Sequence, residues 1–266
     1  MSVELKKVEF VHGLNAHRDL FVQNIRENMG LAYLPRFATK KALMVAGGPS
    51  ANDHIDDIAK KAKQGWEVWC VNGAHDWLRA NCATRPHTCV LMDASPVVDT
   101  FIRQPLGGVR YLLASQCNPK LVNRLNKAGH NVVLWHAALD KEAHELMGED
   151  ATITSGVNTV GLHTLQLMLL SGIRKVRVYG MDSSHRPDAD HAYDNSHQAH
   201  ADELDFFFQG QIYKATGTWA AQAQLFHTLY PKFFHGGLRI EVIGDGLLPA
   251  MWRDAHRALI EDLMSK

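Results

Sequence analysis

Short apolar runs alternate with amphipathic segments along most of this chain. The runs are apolar at successive positions rather than at every second one, which is typical of strands that are covered on both faces. They are Ala42–Ala46, Glu67–Val71, Thr88–Met92, Val109–Ala114, Asn131–Trp135, Lys175–Tyr179 and Leu238–Ile243. Between the first two, Ile55, Ile58, Ala59 and Ala62 have the i, i+3, i+4, i+7 spacing of an amphipathic helix. The alternation predicts an α/β, Rossmann-like fold with a mostly parallel sheet and helices on both faces.

Further helices are predicted between the later strands and at both ends of the chain. They are Arg18–Met29, Ala74–Arg79, Pro119–Ala128, Val157–Leu170, Thr218–Leu229 and Pro249–Met264. We therefore divide the chain into an N-terminal helical extension (1–40), a Rossmann-like domain (41–246), to which the motifs described below assign nucleotide binding and catalysis, and a C-terminal helix (247–266). Within the domain, residues 183–205 are polar and are predicted to form a lid, after which Phe206–Phe208 returns the chain to the core.

Charge and cysteine content exclude several classes of protein. Lys plus Arg and Asp plus Glu both number 28, so the composition gives no support for non-specific nucleic-acid binding. No apolar run approaches the roughly 18 residues of a membrane-spanning helix, and the charged N-terminal segment predicts a cytoplasmic protein. The 4 cysteines form no Cys-x-x-Cys pair, which favours reduced, packed thiols over a zinc knuckle or a disulfide framework.

Small and polar residues follow the predicted strands, where an open parallel sheet binds its ligands. A glycine pair after the first strand would let the backbone approach a phosphate, although a tight turn explains the same residues. The candidate nucleotide-binding residues at these strand ends are Gly47, Gly48, Pro49, Ser50, Asn72, Gly73 and Ser115. We add Thr154, Ser155 and Gly156, because Ser155 is a natural N-cap that would open a second anion-binding corner or simply cap its helix.

Two acids come directly after apolar strands. Asp93 and Asp182 could hold Mg²⁺ against substrate phosphates, since this hard cation prefers a few carboxylates plus water. Each could instead brace its own turn.

Histidines and acids are interleaved in the predicted lid, at His185, His191, His197 and His200. Their spacing matches no standard zinc signature, and a general acid or base remains open beside a solvated polar loop. His197 is the catalytic candidate within the segment.

The motifs Gly47-Gly48-Pro49-Ser50, Val71-Asn72-Gly73-Ala74, Leu91-Met92-Asp93, Thr154-Ser155-Gly156 and Gly180-Met181-Asp182 occur in an order and spacing that resembles one family. It is the MptE-like 6-hydroxymethylpterin diphosphokinase family, in a form similar to its phage or prophage members. The resemblance implies a Rossmann-like fold and, for the archaeal enzymes, transfer of pyrophosphate from ATP to a pterin alcohol with Mg²⁺. A second, more distant likeness is to bacterial sialyltransferases that use CMP-sialic acid. In those enzymes a catalytic histidine lies in a lid region, and Asn195-Ser196-His197 falls in a comparable place in this sequence.

Three functional hypotheses follow from these motifs. The leading one is an ATP- and Mg²⁺-dependent diphosphokinase-like transferase, with Gly47, Gly48 and Ser50 around the phosphates and Asp93 and Asp182 on the metal. The alternatives are a sialyltransferase-like glycosyltransferase with His197 as general base, and a non-catalytic phage accessory protein with a vestigial nucleotide pocket. The expected partners are a nucleotide and a small-molecule acceptor, and the oligomeric state is left open.

Overall fold

A parallel sheet of eight strands carries the core, in a computed structural model that describes residues 14–28, 40–138, 145–146, 152–187, 189, 191–193 and 203–265. The strands of this sheet are β1 (Lys41–Val45), β2 (Glu67–Val71), β3 (Thr88–Leu91), β4 (Arg110–Ala114), β5 (Asn131–Ala137), β6 (Ile153–Thr154), β7 (Lys175–Tyr179) and β10 (Arg239–Ile243). A separate antiparallel hairpin joins β8 (Glu203–Phe208) to β9 (Gln211–Thr216).

Helices connect most of these strands, as the right-handed crossovers of a parallel sheet require. They are α1 (Leu14–Asn28), α2 (Ile55–Lys63), α3 (Ala74–Asn81), α4 (Pro119–Lys127), α5 (Val160–Leu170), α6 (Gly217–His235) and α7 (Leu247–Met264). Two short 3-10 helices, Pro49–His54 and Pro96–Phe101, follow β1 and β3. The predicted α/β, Rossmann-like fold is confirmed.

The strand order places a switch point beside β1. The sheet runs β10-β7-β1-β2-β3-β4-β5-β6, so the chain moves outward from β1 to β6 and then returns to the other side of β1. Val45 pairs with Cys70 on one side and with Tyr179 on the other. The loops after β1 and β7 therefore leave the sheet in different directions and create a crevice at its carboxyl edge.

Burial explains why the strands were predicted well, whereas the limits of two helices differ from the prediction. Leu43, Val68 and Leu112 are completely buried, as successive apolar residues between two helical layers should be. The predicted helix at Val157 begins three residues later, at Val160, and Thr159 rather than Ser155 is its N-cap. Helix α6 continues through Pro231 to His235, beyond the predicted end at Leu229.

The segment around Phe206–Phe208 differs from the prediction. These residues form β8 instead of returning the chain directly to the core. Phe206 and Phe208 pack partly against the core, whereas Phe207 is 68% exposed on the other face of the hairpin. The pleat sends successive side chains to opposite faces, so three consecutive aromatic residues cannot all be buried by one surface.

Helix α1 belongs to the body of the fold. Asn24 donates to the carbonyl oxygens of Ala94 (3.1 Å) and Gln116 (2.9 Å), which follow β3 and β4. Asn28 donates in the same way to Ser115 (2.9 Å) and Cys117 (2.8 Å). Two buried amides thus fasten this helix to the carboxyl edge of the sheet.

The four cysteines are free and buried, as the spacing predicted. Among the helices that the structure describes, none combines the length and the apolar character needed to span a membrane.

Candidate functional site

A cavity of about 680 Å³ opens at the carboxyl edge of the sheet, beside the switch point between β1 and β7. We call it the first cavity. It is lined by residues that follow β1, β2, β3, β4 and β7, by α1, and by the starts of α5 and α6. The strand-end residues that matter below are Gly47, Gly48, Asn72, Asp93, Gln116 and Asp182. Sequence reasoning predicted all of these except Gln116.

The Asp182 carboxylate is bound to the turn after β1. Its Oδ2 accepts from the Ser50 amide at 2.9 Å, and its Oδ1 accepts from the Ser50 hydroxyl at 2.5 Å. Burial raises the pKa of Asp182, and the two Ser50 hydrogen bonds oppose that shift. Both oxygens of this side chain therefore join β7 to β1, which is the bracing role that the sequence left open.

The glycine pair after β1 is needed for close packing between these two loops. The Gly48 amide donates to the Gly180 carbonyl oxygen at 2.6 Å. A Cβ at Gly48 would lie 2.5 Å from Asp182 Oδ2 and 2.6 Å from Gly180 O, too close for any side chain. The space at Gly48 is thus filled by protein rather than reserved for a phosphate, and Pro49 and Ser50 are buried behind the cavity lining.

The start of α5 faces the first cavity instead of the predicted corner at 154–156. Asn158, Thr159, Val160 and Gly161 line it. The amides of a first helical turn have no partners within the helix and attract anions. Thr154 lies in β6 with its hydroxyl 2.7 Å from His163 Nδ1, and Ser155 and Gly156 are exposed outside the cavity. The helix start that lines the cavity is therefore Thr159–Gly161 rather than 154–156, and anion binding there stays a prediction.

A hydrogen-bonded network fixes this helix start against the other elements. Gln222 of α6 donates from Nε2 to the Thr159 hydroxyl at 2.8 Å and accepts from the Ser183 hydroxyl at 3.0 Å. All three side chains line the cavity. The start of α5, the loop after β7 and the first turns of α6 are consequently held in one arrangement.

Two amide side chains carry buried oxygens without a hydrogen-bond partner within the described part of the chain. They are Asn72 Oδ1, after β2, and Gln116 Oε1, after β4. Gln116 is only 4% exposed, and Asn72 has the left-handed φ of +48° that asparagine tolerates better than most residues. Leaving a buried acceptor unpaired costs about 1–3 kcal/mol, so a ligand that donates hydrogen bonds here would recover this energy.

Tyr193 forms a wall of the first cavity. A Cβ at Gly47 would lie 2.5 Å from its hydroxyl oxygen, and a Cβ at Gly73 would lie 2.7 Å from its Cε2. The neighbouring Ala192 amide donates to the Gly47 carbonyl oxygen at 2.8 Å, and burial raises the pKa of the Tyr193 phenol. Glycines 47 and 73 therefore make room for this ring, which no sequence motif had indicated.

Trp219 and His191 line the cavity on the side of α6, with ring centroids 5.5 Å apart. His185 lies against the same indole at 4.5 Å. His197, the predicted catalytic histidine, lies outside the described residues. Of the histidines in the predicted lid, His191 is the one that the described part of the chain places in the cavity lining. The spacing of the histidines in the sequence did not indicate this position.

Comparison with known protein families matches residues 19–188 to the family described as MptE-like, 6-hydroxymethylpterin diphosphokinase MptE-like. The chain belongs to this family. The match covers the first cavity from α1 to the loop after β7, and it confirms the resemblance read from the strand-end motifs. No curated protein sequence matches the chain.

A solved glycosyltransferase structure shares the fold. The Maf glycosyltransferase from Magnetospirillum magneticum AMB-1 superposes with a TM-score of 0.61 at 14% identity, covering 92% of this chain and 42% of that protein. This chain thus spans less than half of the length of that neighbour. A mammalian sialyltransferase in complex with Gal-beta-1-3GalNAc-ortho-nitrophenol gives a TM-score of 0.44 at 9% identity, over 87% of this chain and 86% of that one.

The sequence resemblance implied a bound Mg²⁺, and the carboxylates of the first cavity show which residues are available to hold it. Asp93 lines the first cavity, and its Oδ1 accepts from the Ser95 amide at 2.7 Å. Asp182 uses both oxygens on Ser50. Among the described residues, no group of three or more His, Cys, Asp or Glu side chains is arranged to hold a metal ion. With both Asp182 oxygens engaged by Ser50, the described residues leave Asp93 as the cavity carboxylate that would hold Mg²⁺, and magnesium binding stays a prediction.

Ser115, the remaining predicted site residue, lies outside the lining of this cavity. It is completely buried with its hydroxyl 2.8 Å from His136 Nδ1, and burial lowers the pKa of that histidine. The adjacent Gln116 lines the cavity in its place.

Proposed function

We propose that this protein transfers a glycosyl group from a nucleotide donor to a small hydroxyl-bearing acceptor, with the donor bound in the first cavity. Membership of the MptE-like family supports a nucleotide-related transferase. The observation that carries the finer proposal is the donor set of the cavity, in which a helix start, two amide oxygens without a partner among the described residues, and aromatic rings surround the space.

The nucleotide phosphates would bind at the start of α5. The amides of Val160 and Gly161 belong to the unpaired first turn, and the helix dipole adds a partial positive charge there. Gln222 holds Thr159 in place before any ligand arrives, so little ordering is needed when the anion binds. Pre-organised donors of this kind stabilise the negative charge that develops on a leaving phosphate.

The rest of the nucleotide would extend along the ends of β2 and β4. Asn72 Oδ1 and Gln116 Oε1 are acceptors, so they suit the N–H groups of a base or the hydroxyl groups of a ribose. Asp93, between them in the strand order, offers a further acceptor.

The acceptor would lie towards α6, where Trp219 provides a flat apolar surface and His191 an imidazole. A histidine has the pKa range needed to take a proton from an acceptor hydroxyl near neutral pH. In this proposal His191 would act as the general base, and the same role for His197 stays a prediction.

Nucleotide binding with and without metal tests the proposal. We expect titration calorimetry to detect CMP, UDP or ADP binding in the presence of EDTA, and the corresponding nucleotide sugar to be turned over. The diagnostic variant is Gln116→Met, which keeps the size of the side chain and removes the unpaired oxygen. We expect it to weaken nucleotide binding about tenfold while leaving the free energy of unfolding unchanged or raised, because it abolishes a buried polar cost.

Gln64→Met is the matched control. Gln64 is an exposed residue at the end of α2, on the opposite edge of the sheet, and should change neither quantity. Equal nucleotide affinity in Gln116→Met and the wild type would remove Gln116 from the site. Absence of any nucleotide binding would favour the non-catalytic accessory protein.

The Mg²⁺-dependent diphosphokinase is the second candidate, favoured by the family match and by Asp93 in the cavity lining. It requires ATP binding that depends on Mg²⁺ and is lost in Asp93→Asn. Binding of equal strength in EDTA would count against it.

A further inference from the structure

A second cavity, of about 480 Å³, lies on the other side of Tyr193 from the first. Tyr193 and the neighbouring Ala192 line it together with residues of α3 and of the chain at 100–104. Tyr193 is the described residue that both linings share.

Two guanidinium groups characterise the second cavity. Arg79 lies on α3, and Arg103 follows the 3-10 helix Pro96–Phe101. Both are exposed, and neither guanidinium forms a hydrogen bond or a direct ion pair with the residues that the structure describes. In a chain with as many acids as bases, this pair is a local concentration of positive charge rather than part of a generally basic surface.

Among the described residues that line this cavity, the one acid, Asp76, is already hydrogen-bonded. Asp76 Oδ1 lies 2.7 Å from His75 Nδ1, and Asp76 Oδ2 accepts from the Arg103 amide at 2.9 Å. Burial would raise the pKa of Asp76, but the bonds from His75 and from the Arg103 amide outweigh it and hold the pKa below its usual value. Asp76 is thus ionised and attracts Arg79 without a direct ion pair, so among the described lining residues it offsets one of the two positive charges at most.

The floor of the cavity is rigid. Trp77 is 4% exposed, and its indole N–H donates to Asn52 Oδ1 at 3.0 Å. The 3-10 helix beside it is braced by Arg124, which donates to Asp99 Oδ1 at 2.7 Å and to the Ile102 carbonyl at 2.8 Å. Arg79 and Arg103 therefore line a cavity whose floor is fixed, and planar guanidinium groups suit the recognition of a phosphate or carboxylate.

We propose that the second cavity binds the anionic group, a phosphate or a carboxylate, of the acceptor molecule. That the bound molecule is the acceptor rests on the proposed function, whereas the anion site itself rests on Arg79 and Arg103 alone. The reacting hydroxyl of such a molecule would reach past Tyr193 towards the first cavity. The acceptor class is then an acidic small molecule rather than a neutral one.

Arginine Nε–Hε signals in ¹H–¹⁵N NMR spectra provide a site-resolved test on the full chain. They are assigned with the single variants Arg79→Lys and Arg103→Lys. We expect inorganic phosphate or acetate to shift both signals together and saturably, and the comparison of the two anions decides whether the group is a phosphate or a carboxylate. Shifts confined to the amides of Val160 and Gly161, or no shift at either arginine with both anions, would overturn the proposal.

The double variant Arg79→Gln/Arg103→Gln should bind the preferred anion at least tenfold more weakly. Arg85→Gln, an exposed arginine near the opposite edge of the sheet, is the matched control and should bind it normally. Unchanged anion affinity in the double variant would contradict the assignment. If the double variant does not fold, the shifts at the two arginines in the wild type decide alone.

Failure of this inference and failure of the proposed function are separable. The double variant should keep its nucleotide affinity, because both arginines lie outside the first cavity. Gln116→Met should show the reverse, with weakened nucleotide binding and normal anion shifts at Arg79 and Arg103.

Discussion

Replacing Asp182 by alanine should destabilise the fold strongly, because this carboxylate satisfies two buried donors of one residue. Ser50 is completely buried, and its amide and hydroxyl both donate to Asp182, at 2.9 and 2.5 Å. Each donor left unpaired inside a protein costs about 1–3 kcal/mol. We therefore expect Asp182→Ala to lower the free energy of unfolding by about 2–5 kcal/mol.

The asparagine variant separates bracing from ligand binding. Asp182→Asn keeps one oxygen for the Ser50 amide, and its new NH₂ group can donate to the Ser50 hydroxyl oxygen. We expect a loss of about 1 kcal/mol, mainly from the weaker neutral hydrogen bonds. Nucleotide affinity should remain close to that of the wild type, since both carboxylate oxygens are engaged with Ser50.

Urea denaturation at pH 7.5 measures both changes, with nucleotide titration on the same samples. Ser50→Ala completes a double-mutant cycle, in which the effects of Ser50→Ala and Asp182→Ala should be far from additive. A loss below about 1 kcal/mol in Asp182→Ala would refute the bracing argument. So would an asparagine variant that is fully stable but unable to bind nucleotide, which would restore the original metal-ligand hypothesis.

Three further predictions concern acid stability, helix α1 and the Tyr193 wall. Burial lowers the pKa of His163 to about 4 from its ordinary 6.5. Between these pH values the unfolded state binds more protons than the folded state, so the free energy of unfolding should fall by up to about 3 kcal/mol as the pH drops from 6.5 to about 4. Urea melts of His163→Gln should show a shallower fall, and an identical pH slope would contradict the assignment. Asn28→Ala removes two buried hydrogen bonds, so it should lower the free energy of unfolding by about 2–3 kcal/mol in urea melts and weaken nucleotide binding. The control Gln23→Ala, at an exposed position of the same helix, should change neither quantity. Equal stability of the two variants would argue against the fastening of α1. Gly73→Ala places a methyl group 2.7 Å from Tyr193 Cε2, so it should lower the free energy of unfolding by about 1–3 kcal/mol in the wild-type background. In the Tyr193→Ala background the same substitution should cost nothing. A loss that persists in that background would show that Gly73 does not accommodate the Tyr193 ring.

The elements of the sheet could be predicted because their signal is local. A strand covered on both faces must be apolar at nearly every position, and β2 and β7 have the predicted limits. Residues at strand ends could also be chosen, because turn chemistry and the parallel topology both point there. Gly47, Gly48, Asn72, Asp93 and Asp182 accordingly line one cavity.

The roles of those residues could not be predicted in the same way. A glycine pair is required equally by a bound phosphate and by a neighbouring loop, and only the position of Gly180 against Gly48 distinguishes the two. An aspartate after a strand is equally suited to a metal and to a serine, and the 2.5 Å contact with Ser50 makes the difference. Both contacts join residues more than 130 positions apart in the sequence.

The sequence by itself determined that the chain would form a parallel α/β sheet and which strand ends would meet at its carboxyl edge, because hydrophobic periodicity and connection geometry act over a few residues. The tertiary structure alone decided that Thr159–Gly161 rather than Thr154–Gly156 faces the first cavity. It also decided that Gln116 has a buried oxygen without a partner among the described residues, and that Tyr193 lines both cavities. Such features depend on which distant side chain fills a given space. Packing complementarity of this kind is a property of the assembled fold and has no period in the sequence.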